Sequence, residues 1–206
     1  MNRKIFLDKL RILATCAVVL LHTVTGVMDS TDMSGYPMER TLFLVLLDWI
    51  TWCVPVFVLI SGYLFLDPAK NISFQQMLMK YCRRILFALF LFGVPYACLE
   101  LVVKEGIFRV GMLGDAVLMV CKGKGWAHMW YLYMILGLYF FTPLLKWLLQ
   151  KMPRWGVYAV LAFLALGSSI LPFLKKLCDW EQMVVLPDGG IYLFYYLCGY
   201  LFVCGQ

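Results

Sequence analysis

The stretch LFLVLLDWITWCVPVFVLISGYLFL, residues 42–66, holds a single charged side chain, Asp48, in 25 residues. An α-helix rises about 1.5 Å per residue, so about 20 apolar residues cross a hydrocarbon core about 30 Å thick. The stretch therefore reads as a transmembrane helix, and comparable blocks occupy residues 10–28, 85–103, 128–149, 157–174 and 190–206. This pattern predicts an all-α, polytopic bundle of about six spans, read as one membrane domain over residues 1–206.

Composition agrees with that reading. Apolar residues make up 63% of the chain and charged residues 15%, against roughly 45–50% and about 25% in soluble proteins. The connections are too short for a separate soluble catalytic domain, so any chemistry lies within the membrane or at its surfaces. The net charge of +6 comes from 18 Lys and Arg scattered among short loops, which excludes the single basic stripe of a nucleic-acid binder. With the N-terminus inside, the inner segments hold eleven of these cations, among them Lys70, Lys80, Arg83, Arg84, Lys146 and Lys151, and the outer segments hold seven. That bias predicts a cytoplasmic N-terminus in a multi-pass membrane protein. Trp126, Trp130, Tyr131, Trp147 and Trp155 near span ends fit interfacial belts.

The first block is also readable as a signal peptide, since Arg3, Lys4 and Lys9 precede it. His22 midway and the lack of a small-x-small site before Asp29 favour a retained helix. No 20–50 residue repeat is visible, and the longest connection, residues 104–126, reads as an ordinary glycine-containing loop. Cys16, Cys53, Cys98, Cys198 and Cys204 lie in apolar blocks and read as packed thiols, while Cys121 and Cys178 share an outer side where a bridge is open. Asn71-Ile72-Ser73 matches a glycosylation sequon on the predicted inner side, where it has no use. Motifs for zinc peptidases, P-loops, dinucleotide binding and serine hydrolases are missing from the sequence, and no metal site is expected.

An ionisable group inside a span costs at least about 2.5 kcal/mol at the bilayer centre and is a functional candidate. Arg11 and His22 are separated by almost three helical turns and share a face, with Thr15 and Thr25 on or near it. The stripe predicts a polar path along an interior seam. Arg11 also reads as an inner anchor paired with Asp8, and His22 as a neutral imidazole bonded to a neighbouring carbonyl. Asp48, near the expected depth of His22, either orients the imidazole or sits at the interface. Glu100 reads as interfacial, and His128 beside Trp130 is a secondary candidate.

Leu7-Asp8-Lys9-Leu10-Arg11-Ile12-Leu13-Ala14 followed by Val18-Val19-Leu20-Leu21-His22 resembles the first helix of membrane-bound acyltransferase family 3. Val54-Pro55-Val56-Phe57-Val58-Leu59-Ile60-Ser61-Gly62-Tyr63-Leu64 is similar to that family's V-P-x-F-x-x-I-S-G-Y-L segment. His128-Met129-Trp130-Tyr131-Leu132 with Tyr139-Phe140-Phe141-Thr142-Pro143-Leu144-Leu145 resembles its fourth helix, and Cys198-Gly199-Tyr200-Leu201 its later G-Y turn. The resemblance implies transfer of an acyl group, commonly acetyl from acetyl-CoA, to a hydroxyl or amino group of a cell-surface glycan, lipid-linked sugar or small molecule. It implies that His22 and Arg11 are the family's essential histidine and arginine. For the family's R-x-x-R before the third helix, either Lys80 and Arg83 fill the pair or Tyr81 replaces one arginine. The family's usual ten spans also imply that a six-span chain is a truncated product.

These readings give one expectation and its rivals. Acyl-CoA is the donor substrate, with no tightly bound cofactor; its phosphates meet Arg11, Lys80, Arg83 and Arg84. His22 is the general base, oriented by Asp48, or an acyl carrier. The partners are the lipid bilayer, acyl-CoA and the acceptor. The alternatives are a solute-binding or transport module, for which no repeated broken helices are visible, and an inactive fragment.

Overall fold

The computed structural model describes residues 5–124, 129–178 and 189–204, with side chains of 171–178 and 189 left aside. The described elements are helical: α1 Ile5–Ser30, α2 Pro37–Ile50, α3 Cys53–Phe65, α4 Phe74–Gln76, a π turn Met77–Cys82, α5 Arg83–Glu105, α6 Met112–Cys121, α7 Trp130–Lys151, α8 Arg154–Cys178 and α9 Gly189–Cys204. Four helical stretches are long and apolar enough to cross a membrane, Ile5–Ser30, Pro37–Phe65, Phe74–Glu105 and Trp130–Lys151. Shorter apolar helices at Arg154–Ile170 and Gly190–Cys204 occupy the places of the fifth and sixth predicted spans. His128 and Trp126 lie outside the described residues. The chain forms two compact units, one of Met1–Asp67 with Tyr158–Gln206 and one of Pro68–Val157.

In the first of these, α1 packs on α2 and α3, and α3 packs on α9. The α1 residues Leu7, Ala14, Ala17 and Val24 are buried, a spacing of seven and three that keeps one face of the helix turned inward. Leu7 meets Ile60 and Tyr63, and Ala14 and Ala17 meet Cys53. The α3–α9 crossing is closer still. A Cβ added at Gly62 would lie 1.9 Å from the Tyr196 carbonyl oxygen, and one at Gly199 would lie 2.3 Å from the Tyr63 nitrogen. Small residues let helix backbones approach this way in lipid, where apolar burial does not drive helices together.

The predicted span 42–66 is two helices, broken at Thr51–Trp52. Pro55 explains the break: it has no N–H for the Thr51 carbonyl, and its ring crowds that carbonyl. Hydrogen bonding resumes with the Val56 N–H on the Trp52 carbonyl at 3.1 Å, while the Thr51 N–H closes α2 on Leu47 at 3.0 Å. Between α1 and α2, the Asp32 carboxylate accepts from the Ser34 N–H at 3.0 Å and starts the short 3₁₀ turn Met33–Gly35. That bond holds the Asp32 carboxyl below its ordinary pKa.

In the second unit, α4, the π turn and α5 form one continuous helix of 32 residues. The predicted basic loop ahead of the third span is thus helical: Lys80 lies in the π turn, and the Arg83 N–H donates to the Leu78 carbonyl five residues back. Gly106, with φ of 73°, ends α5 in the left-handed region, its N–H on the Val102 carbonyl. The connection expected to be an ordinary loop contains α6, which is too short to cross and packs along α5 through Leu89, Ala97, Ala116 and Val120. The Tyr133 hydroxyl on α7 donates to the Val120 carbonyl at 2.5 Å and so ties α7 to the end of α6. The seven described cysteines, including exposed Cys121, are free thiols; the side chain of Cys178 lies outside the described set.

Gly62→Ala and Gly199→Ala will each destabilise the chain by about 1–3 kcal/mol, because the new methyl meets backbone. Gly26, with nothing within 4 Å of its added Cβ, is the control, since a mid-helix Gly→Ala change stabilises by about 0.5–1 kcal/mol. Thermal melts in detergent will show midpoints falling for the first two and holding or rising for Gly26→Ala.

Candidate functional site

Helix α1 has three faces. Leu7, Ala14, Ala17 and Val24 form the packed one. Ile5, Ile12 and Val19 are exposed on the opposite side, as lipid contact requires. Arg11, Thr15 and His22 lie between them, about a quarter turn from the packed face. Thr15 and His22 are exposed, and Arg11 and Thr25 are half-buried. The polar stripe therefore runs along the border of the helix seam rather than inside it.

The stripe has a definite hydrogen-bonding character. Thr15 Oγ1 donates to the Arg11 carbonyl at 2.8 Å, and Thr25 Oγ1 donates to the Leu21 carbonyl at 3.0 Å. Both hydroxyl protons are used within the helix, bonded to the carbonyl four residues earlier as threonines in mid-helix often are. Their oxygens still have lone pairs, so these two side chains can accept from a ligand but not donate to it. Arg11 pairs with Asp8 at 3.7 Å, an exposed contact of the kind that contributes little by itself. Asp48 is exposed on α2, and its backbone carbonyl accepts from Thr51 Oγ1 at 2.9 Å. His22 and Asp48 thus belong to two helices that pack together.

In the second unit, Lys80, Arg83 and Arg84 are all exposed, while Met77 and Cys82 in the same turns are buried. The Lys80 ammonium stands over the Tyr81 ring, 5.6 Å from its centroid, and Arg83 and Arg84 follow three and four residues on, so that like charges are concentrated at this end of the helix. Segments 68–84 and 143–157 hold seven cations, Lys70, Lys80, Arg83, Arg84, Lys146, Lys151 and Arg154, and no carboxylate. The nearest acidic residue along the chain is Asp67. At the other end of α5, Glu100 pairs with Lys104 at 2.6 Å, and Glu105 pairs with Arg109.

The same unit holds a feature that the sequence reading passed over. A cleft of about 310 Å³ is lined by residues 70–73 together with Pro143, Lys146, Trp147 and Gln150. Lys146 is only 8% exposed, and its ammonium donates to the Lys70 carbonyl. In sequence Lys146 counted only as one more inner cation. The signal was its setting, a lone lysine in the apolar run Leu144-Leu145-Lys146-Trp147-Leu148-Leu149. Among the described residues no cluster of three or more His, Cys, Asp or Glu is arranged to hold a metal ion.

Residues 4–204 match the model of acyltransferase family 3, described as an acyltransferase domain. The chain belongs to that family. No curated protein and no solved structure matches it. The family match spans α1 with Arg11 and His22, both glycine motifs of the α3–α9 crossing, and the basic turns before α5. As a family 3 member with several apolar helices, it is a membrane acyltransferase in the general sense.

Cysteine scanning tests the three-faced reading of α1. With the native cysteines replaced, His22→Cys and Thr15→Cys will react with a membrane-impermeant maleimide in opened vesicles at least about tenfold faster than Val19→Cys, because the thiolate needs water to form. Equal, slow labelling at all three positions would make the stripe a lipid-facing surface.

Proposed function

We propose that this family 3 chain transfers an acyl group, acetyl in the simplest case, from acyl-CoA to a hydroxyl or amino group of a cell-surface glycan or small acceptor. The observation that carries the reading is the pairing of family membership with the α1 stripe, where Arg11 and His22 share one polar face. In the proposed step an imidazole nitrogen of His22 takes the proton of the acceptor hydroxyl as its oxygen bonds to the thioester carbonyl carbon. The carbon–sulfur bond then breaks and CoA leaves as thiolate, which takes up a proton. A neutral imidazole near physiological pH suits this role. Asp48 is proposed to orient the ring, and Thr15 and Thr25 to accept from further hydroxyls of the acceptor.

Phosphates of the donor are assigned to cations. Arg11 provides a planar guanidinium, and Lys80, Arg83 and Arg84 form a cluster that lacks acidic neighbours within segment 68–84. Phosphate oxygens relieve the repulsion within such a cluster and form charge-assisted hydrogen bonds with it. The topology that goes with this assignment has the N-terminus and the basic turns on the cytoplasmic side of the cytoplasmic membrane, where acyl-CoA is present.

Membranes carrying the chain, supplied with acetyl-CoA labelled in the acetyl group, will incorporate label into a lipid, glycan or small-molecule fraction. His22→Ala will remove that incorporation, by at least about a hundredfold if the general base is lost, while the protein still inserts. Undiminished transfer in His22→Ala excludes the mechanism, and CoA-independent solute flux would favour a carrier. Replacing Lys80, Arg83 and Arg84 together by Gln will raise the KM for acetyl-CoA with a smaller effect on kcat, as expected for contacts made equally in ground and transition states.

A further inference from the structure

We propose that the cleft at residues 70–73 and α7 binds the phosphate headgroup of an anionic phospholipid. This stands independently of the acyl-transfer reading, because no residue assigned to transfer lines the cleft. Its chemistry suits a phosphodiester: Lys70 and Lys146 bring two ammonium groups, Asn71 and Gln150 bring amide N–H donors, and no carboxylate is in the lining. Ser73 adds a hydroxyl whose oxygen already accepts from the Gln76 N–H, which leaves its proton to donate.

Three observations favour a lipid over a free anion or a nucleotide. The cleft, at about 310 Å³, stands at the small end of ligand pockets, which run from about 300 to 1,000 Å³; that suits a phosphoglycerol group better than an adenine nucleotide. Trp147 belongs both to the cleft wall and to the α7 strip of Phe140, Leu144, Trp147 and Lys151, whose spacing of four, three and four residues keeps them on one face. Phe140, Leu144 and Trp147 are about half exposed, so an acyl chain can lie along Phe140 and Leu144 while its headgroup enters beside Trp147. Lys151 stands over the Trp147 ring at 4.2 Å, and segments 68–73 and 143–157 carry Lys70, Lys146, Lys151 and Arg154 without a carboxylate. Clusters of this size at a membrane surface attract anionic headgroups.

The test uses the 206-residue chain in detergent micelles, with binding of dioleoylphosphatidylglycerol measured against dioleoylphosphatidylcholine. Phosphatidylglycerol will bind more tightly, and Lys70→Glu will weaken it about tenfold, while Lys122→Glu, an equal charge change at an exposed site outside the cleft, will leave it within twofold. Asn71→Asp, at an exposed position of the cleft wall, repeats the test should Lys70→Glu fail to fold, and is expected to weaken binding about threefold. Neither millimolar inorganic phosphate nor CoA will displace the lipid. Equal affinity for the two lipids, equal weakening by Lys70→Glu and Lys122→Glu, or no weakening by Asn71→Asp would overturn the proposal. Displacement by phosphate would make the cleft a free-anion site and displacement by CoA a donor site, and either also overturns it.

Discussion

Backbone contact between Gly62 and Gly199 is the constraint on which the first unit depends. In water, apolar burial alone would hold α3 against α9, but lipid gives no such preference, and close packing has to supply the attraction instead. The two glycines remove the Cβ atoms that would otherwise keep the helices apart. With the crossing made, Tyr196 is fully buried and Tyr63 nearly so, and Tyr63 with Ile60 forms the surface on which Leu7 of α1 rests. The position of α1, and with it the direction in which Arg11 and His22 face, follows from a contact many residues away in sequence.

The second unit solves a different problem, that of bringing polar residues to the end of an apolar helix without breaking it. Between Phe74 and Glu105 the π turn takes in an extra residue while keeping backbone groups bonded. π turns of this kind recur at functional sites because they re-aim side chains without ending the helix. Here the change of register falls at Lys80, immediately before Arg83 and Arg84. Pro55 has the opposite effect in the first unit, where it divides one apolar run into α2 and α3.

Most of the architecture was legible because long apolar runs have a single solution in lipid, the helix. The polar stripe of α1 was legible for a similar reason: helical phase is arithmetic, and Arg11 and His22 fall together by counting. What could not be counted was which side of the stripe met another helix. That depended on Ala14, Ala17 and Cys53 packing a quarter turn away, information held by a pairing of helices and not by either one. The same limit hid α6, whose ten residues look like loop until Ala116 and Val120 have α5 to rest on, and it hid the cleft, whose two walls are some seventy residues apart. The two glycine motifs, read separately in sequence, are one contact in space.

The unbroken helix from Phe74 to Glu105 has a mechanical consequence. At about 1.5 Å per residue its 32 residues reach roughly 48 Å, well beyond a hydrocarbon layer of about 30 Å. The excess carries Lys80, Arg83 and Arg84, and drawing any one of them toward the bilayer centre would cost about 2.5–3.5 kcal/mol. A thicker bilayer therefore compresses around this helix more readily than the helix sinks into it, since mismatch costs only fractions of a kcal/mol per Å. The helix acts as a draught mark that fixes the depth at which the second unit floats, whatever the thickness of the membrane around it.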